Sequence, residues 1–296
     1  MPVPVPDRSP DLRPDNPYAP ACFPATAPCK CCGTAALPTG VTDLSRSGAD
    51  IQFGLARHGL ELAPEQVILD KLDPYWGMAL YYYACPQCGF TFTPSLDHWT
   101  AADFDRYIYN DDYQRHDPGF GGERQEGWAE AFAGWFGAFR QDWAILDYGA
   151  GLGLLEDKLR ARGFARVLSY DPFGADRALA PEPADLIFLN EVVEHMTDPA
   201  AGFAELASLR KPDGVIMLTT ELCTPEILDR GVVNWWYCAP RSGHVSLFSE
   251  QALALFAQRH GLGYSRAGRS LHLLHGAQLP EWIPACFPHG WTVALP

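Results

Sequence analysis

Three glycines at alternate positions, Gly149, Gly151 and Gly153, follow the apolar run Ala144-Ile-Leu-Asp-Tyr148, and Arg166-Val-Leu-Ser-Tyr-Asp171 lies a helix's length further on. A turn stripped of Cβ atoms lets a ligand press against backbone N–H groups where the next helix begins, which is the chemistry of a nucleotide site. Asp147 is placed to hold turn amides or an ammonium group, and Asp171 to accept both hydroxyls of a ribose. The spacing is G-x-G-x-G. A dinucleotide fingerprint would need its last glycine where Leu154 stands, which disfavours NAD.

A second chemistry sits in Cys29-Lys-Cys-Cys32-Gly and Cys85-Pro-Gln-Cys88-Gly. Two C-x-x-C pairs, each followed by glycine, are what two zinc knuckles require to aim four thiolates at one tetrahedral ion. Cys29, Cys32, Cys85 and Cys88 are the expected ligands on spacing, with Cys31 or Cys22 able to substitute. Four thiolates leave no open position for substrate, so the expected role is structural. The interval 33–84 is long for a compact zinc site, and it holds elements of its own. Residues 49–58 have helical periodicity and 66–72 read as a strand, while 78–84 and 90–93 flank the second pair as a hairpin.

These groups need a scaffold of strands ending on one edge. The stretch Leu146-Asp-Tyr-Gly-Ala-Gly-Leu-Gly153 resembles the first motif of class I S-adenosylmethionine-dependent methyltransferases. The resemblance implies an α/β, Rossmann-like sheet and S-adenosylmethionine as cofactor, with Asp147, Gly149, Gly151, Gly153 and Asp171 holding it. The short interval between Asp171 and Asp185 leaves the third strand of that fold short or missing, and the adenine contact falls to Phe173 or to backbone after Pro183. Ala184-Asp-Leu-Ile-Phe-Leu-Asn-Glu-Val-Val-Glu-His-Met-Thr-Asp-Pro199 resembles a later segment of the same enzymes. It implies that Asn190 and Glu191 border the cofactor and that His195 faces the substrate; capping of the next helix is the other role open to that histidine.

Asn234-Trp-Trp-Tyr-Cys-Ala-Pro-Arg-Ser-Gly-His-Val-Ser-Leu-Phe-Ser249 resembles the substrate loop of this methyltransferase branch. Aromatics at 235–237 and a polar histidine over strand ends suit a small-molecule pocket. His244 is the first candidate for general base, His195 the second, and Tyr237 joins them as a candidate catalytic residue. Tyr109 and Tyr113 share a face if the helix beginning near Ser95 continues through them, where they would cap the cofactor; interdomain packing is the alternative. The helix of 123–141, rich in Trp and Phe, reads as core. Lys211-Pro-Asp-Gly214 reads as a turn, 215–220 as a strand, and 263–269 with 271–278 as a closing hairpin.

Bulk properties narrow the partners. The 296 residues carry a formal charge of −14, from 36 acids against 22 bases, which opposes nucleic acid binding. No apolar run approaches a membrane span, and the Pro-rich start lacks the regions of a signal peptide, so a soluble cytoplasmic protein is expected. Its nine cysteines then point to metal or chance rather than disulfides. The expected organisation is an extended arm over 1–28, a zinc ribbon with insertion over 29–94, linker helices over 95–141, a methyltransferase domain over 142–280 and a loop-like tail over 281–296.

From 29 to 278 the chain resembles zinc-containing bacterial methyltransferases that include sugar-nucleotide C-methyltransferases. Nothing in it resembles the additional C-terminal, sugar-holding domain of those enzymes. A small-molecule or natural-product methyl acceptor is therefore expected, ahead of a nucleotide sugar or a non-catalytic zinc-ribbon binding protein.

Overall fold

The structure is a computed structural model describing residues 25–47, 78–110, 113, 117, 122–137, 142–172, 181–283 and 292–293. Cys22, Phe173 and the elements expected over 49–58 and 66–72 lie outside the described residues. The N-terminal strands are β1 (Ala27–Pro28), β2 (Ala35–Asp43), β3 (Ala79–Ala84) and β4 (Thr91–Phe92). Then come β5 (Ala144–Tyr148), β6 (Arg166–Tyr170), β7 (Ala184–Asn190) and β8 (Arg210–Thr219). The chain closes with β9 (Ser246–Leu247), β10 (Gly263–Ala267), β11 (Leu271–His275) and β12 (Thr292–Val293).

Among the described residues these strands make two sheets. The smaller is antiparallel, in the order β1-β2-β3-β4-β9, and the larger runs β12-β10-β11-β8-β7-β5-β6. In the larger sheet β6, β5, β7 and β8 are parallel, while β11, β10 and β12 run against them. No third strand lies beyond β6 among the described residues, in keeping with the short interval before β7. Two expectations are corrected. The segment Lys211–Gly214, expected as a turn, continues β8, and Thr292–Val293, expected in a loop-like tail, pairs with β10.

Alternation along the parallel strands sorts side chains onto two faces, as a period of two requires. Ile145, Leu186, Phe188, Val215 and Met217 point to one side. There they meet Phe132 and Phe136 of helix Glu123–Phe136 (α2), which follows Ala101–Tyr107 (α1) and precedes Leu154–Ala161 (α3). Leu155 and Leu159 of α3 complete that layer. Leu146, Ile187, Leu189, Ile216 and Leu218 point to the other side, against α4 (Pro199–Leu209) and, beyond the short α5 (Pro225–Asp229), α6 (Glu250–Arg259). Asp198 caps α4 through its side chain and Pro199 fills the first turn, so the helix begins earlier than its apolar stretch at Phe203.

The smaller sheet packs on that second face. Phe90 and Phe92 share a core with Phe203, Phe248 and Phe256, with Phe90 and Phe248 rings 5.0 Å apart. Tyr83 points into this core, whereas Leu80 and Tyr82, of opposite parity on β3, face the loop that carries Tyr237 and Val245. The middle of the smaller sheet, at β3 and β4, is thus covered on both faces, and the sheet's last strand comes from the loop expected to hold substrate.

Candidate active site

The strands β5, β7 and β8 end at one edge of the large sheet, and a cavity of about 1250 Å³ opens over them. It is lined among others by Asp147, Gly149, Gly151, Asp171, Glu191, His195, Tyr237 and His244. That volume exceeds the ~300–1,000 Å³ of an ordinary ligand pocket, so a cofactor and a second molecule fit together.

One wall is the turn after β5. Gly149, Gly151 and Gly153 all have left-handed backbone, with φ of 76°, 54° and 68°. A Cβ on Gly149 would stand 2.6 Å from Val192 Cγ2, so this position is closed to any larger residue. Gly153 begins α3 without a side-chain cap, which leaves the first helical amides turned to the cavity. Asp171 Oδ2 accepts from Gly151 N–H at 2.9 Å. Asp147 is buried, and burial, with Asp171 and Glu156 adding repulsion, pushes its carboxyl up to about 7.

The opposite wall is assembled from distant segments. Glu191 is the one non-glycine residue with left-handed backbone (φ 55°) among those described, and Thr219 Oγ1 accepts its N–H at 3.0 Å. The Tyr237 hydroxyl lies 2.8 Å from Glu191 Oε2 and 2.6 Å from Glu194 Oε1. A single hydroxyl proton serves only one carboxylate, so one of the two acids carries a proton of its own. Burial lifts both carboxyls, and repulsion from Glu191 adds to the effect on the wholly buried Glu194, which is held well above the usual range.

Two histidines complete this wall, their rings 5.0 Å apart and nearly perpendicular. His244 Nδ1 donates to the Tyr237 carbonyl at 2.8 Å, which fixes the ring as the Nδ1–H tautomer and leaves Nε2 as the acceptor. Burial lowers His244 to about 4 and holds His195 well below the usual imidazole range, His244 adding to the latter. Both rings are neutral at pH 7. His195 Nδ1 meets the Tyr109 hydroxyl at 3.1 Å, and a Cβ on Gly243 would stand only 2.7 Å from that nitrogen.

Tyr109 and Tyr113 both line the cavity, their rings 5.1 Å apart. The expected continuous helix does not bring them there, since α1 ends at Tyr107. Asn190 lines the cavity too, its Oδ1 accepting from Trp128 Nε1 at 2.9 Å and from Thr219 Oγ1 at 3.1 Å. Trp128 and Glu194 escape sequence reasoning for different reasons. The first lies on a helix read as pure core, and its ring does pack 4.9 Å from Phe188 while its N–H turns to Asn190. Glu194 lies inside a quoted motif but is assigned no role. Arg124, also in the lining, forms two hydrogen bonds to Asp117, at 3.1 and 2.5 Å.

The cysteines form a separate group. The ligand atoms of Cys29, Cys32, Cys85 and Cys88 lie within 4.8 Å of one another, with Cys29 and Cys88 sulfurs 3.6 Å apart and Cys32 and Cys85 sulfurs 3.4 Å apart. A tetrahedral zinc with bonds of about 2.3 Å puts its sulfurs about 3.8 Å apart, so the quartet fits the ion. Each turn closes by the same bond, Gly33 N–H to Cys29 carbonyl at 2.8 Å and Gly89 N–H to Cys85 carbonyl at 2.9 Å. Cys31 turns away and donates to the Ala252 carbonyl at 3.8 Å, outside the quartet.

Residues 120–264, just under half of the chain, match a family described as a methyltransferase domain. No curated protein matches the sequence. Solved structures similar to the chain include an O-methyltransferase family protein from Burkholderia thailandensis, at 15% identity and a TM-score of 0.38 over 56% of this chain and 64% of that one. Human N-acetylserotonin methyltransferase, in complex with SAM, is similar at 14% identity and a TM-score of 0.43 over 61% of this chain and 60% of that one. A 1,6-didemethyltoxoflavin-N1-methyltransferase from Burkholderia thailandensis, with its substrate and S-adenosylhomocysteine bound, is similar at 14% identity and a TM-score of 0.43, over 66% and 93%. The chain spans less than two thirds of the length of the first two. The matched residues take in the parallel strands β5 to β8, the glycine turn and both histidines of the cavity. Among the described residues no helix is long and apolar enough to cross a membrane.

Proposed function

We propose that this protein is an S-adenosylmethionine-dependent methyltransferase acting on a small-molecule or natural-product acceptor. The observation that carries the reading is the left-handed glycine turn, tied to Asp171 through Gly151 N–H, on a cavity whose far wall holds two neutral histidines. When bound, S-adenosylmethionine supplies a methyl group already activated by sulfonium charge. Asp171 accepts the ribose hydroxyls, the bare turn receives the nucleoside against its amides, and Asp147 faces the ammonium group. Asn190 and Glu191 border the same molecule, and Tyr109 and Tyr113 cover it.

The far wall orients the acceptor. This wall would hold the acceptor atom in line with the activated methyl group that the bound cofactor would supply. The acceptor's proton passes to His244 Nε2, held toward it by the Nδ1 bond to the Tyr237 carbonyl, with His195 as the neighbouring acceptor. The Tyr237 hydroxyl, between two acids, fixes the loop from which His244 projects. Cys29, Cys32, Cys85 and Cys88 would hold a structural zinc as thiolates.

Titration calorimetry with S-adenosylmethionine and S-adenosylhomocysteine tests the class. Saturable micromolar binding of both is expected; absence of binding to the metal-loaded protein would refute the reading.

A further inference from the structure

Hydrogen bonds leaving the cysteine hairpin converge on two short segments, 195–198 and 244–249, which carry both histidines of the cavity. Tyr82, wholly buried on β3, donates its hydroxyl to the His244 carbonyl at 2.7 Å. Thr93 N–H reaches the Val245 carbonyl at 2.9 Å, and β4 pairs with β9 through Thr91 with Leu247 and Phe92 with Ser246. The Ser249 hydroxyl donates to the carbonyl of Cys88, a member of the quartet. From the first cysteine turn, Lys30 Nζ donates to the Thr197 carbonyl at 2.8 Å, steadied by Asp97 at 2.5 Å. The two histidine segments are tied to each other as well, Val245 N–H to the Glu194 carbonyl at 2.9 Å and Ser246 Oγ to the Met196 carbonyl at 2.7 Å.

Packing of Phe90 on Phe248 and Phe256 already joins the hairpin to segment 244–249 and to α6 without regard to orientation. Hydrogen bonds are directional and fix how the backbone at 244 is rotated, and with it the ring. We infer that the cysteine hairpin is a positioning device for the histidine wall, with Tyr82 and Lys30 as its positioning residues. Closing the quartet sets the two turns; the turns set Lys30, β3 and β4; these set the carbonyls of Thr197 and His244 and the strand that follows. The inference rests on the reading of the histidines as proton acceptors, but the placement it describes is measurable without any acceptor.

The test uses the full chain, metal-loaded, carrying ¹⁵N-labelled histidine and saturated with S-adenosylhomocysteine. Tyr82→Phe removes only the hydroxyl, and Tyr83→Phe is the matched control, a neighbouring buried tyrosine stacked toward Phe92 on the other face. In Tyr82→Phe the His244 ring signals are expected to leave the pure Nδ1–H pattern. Amide exchange over 244–249 should quicken about tenfold, roughly one hydrogen bond's worth, with cofactor affinity unchanged. Stripping zinc with 1,10-phenanthroline should reproduce the same ring shift as metal is released. Wild-type ring signals and exchange in Tyr82→Phe, or equal changes in Tyr83→Phe, would overturn the inference. Failure of S-adenosylhomocysteine to bind the wild-type chain would strike the methyltransferase reading instead.

Discussion

The two walls of the cavity are made in opposite ways. The glycine wall is almost continuous in sequence: a strand end, five turn residues and the head of a helix, with Asp171 brought alongside by parallel pairing of β5 with β6. The histidine wall draws on Tyr109, Glu191 to His195 and Tyr237 to His244, and it is braced by the β3–β4 hairpin, whose turn carries Cys85 and Cys88. The first wall therefore depends on local backbone conformation, the second on long-range contacts. Damage to each should be separable.

The largest separation is expected from Cys85→Ser. Structural zinc in small sites contributes about 10–16 kcal/mol, so the variant should lose its zinc and unfold at a much lower temperature in a thermal scan. Full metal content and an unchanged midpoint would deny the hairpin its bracing role. On the other wall, Asp171→Ala removes the proposed acceptor for ribose hydroxyls and should weaken S-adenosylhomocysteine by about 10- to 150-fold, since hydrogen bonds to charged groups are worth ~1.5–3 kcal/mol. Thermal stability should fall only by the loss of the exposed bond from Gly151 N–H. Equal affinity by calorimetry would remove Asp171 from the site.

The pH dependence of binding sharpens the comparison further. Asp147 sits at about 7 in the free protein, and a ligand cation favours its ionised form. Affinity should be flat above pH 7 and fall about tenfold per unit below it, as one proton must be displaced. The sign for stability is opposite. An acid raised by folding binds more protons folded than unfolded, so this group costs stability as pH rises from its unfolded value near ~4 to about 7, and no more beyond. Asp147→Asn should flatten the binding profile. The smallest effect is expected from Trp128→Phe, which keeps the ring against Phe188 and removes the N–H to Asn190, at about 1 kcal/mol or fivefold in cofactor affinity.

The same contrast governs what the sequence discloses. The turn at 149–153, the two C-x-x-C pairs and the apolar runs of β5 and β7 are legible because each is a local pattern with a local cause. The end of α1 at Tyr107 is not, because the side chains that place Tyr109 and Tyr113 come from His195 and the core around Ile108. Nor does Ser246–Leu247 announce itself as a strand, since two residues gain that identity only by meeting Thr91 and Phe92. Glu194 stays hidden for a third reason. Its raised carboxyl follows from burial beside Glu191, with which it shares the Tyr237 hydroxyl, a relation no spacing encodes.

The late contribution of β9 to an early sheet also has a consequence for how this protein is made. When residues 79–92 leave the ribosome, the open side of β4 has no neighbour until 246–247 are synthesised. An unpaired strand edge invites association with other chains, so the nascent N-terminal half must be shielded or must fold late. Fragments ending before residue 246 should consequently be poorly soluble, and the cysteine-bearing strands β1 to β4 cut free would carry a raw edge.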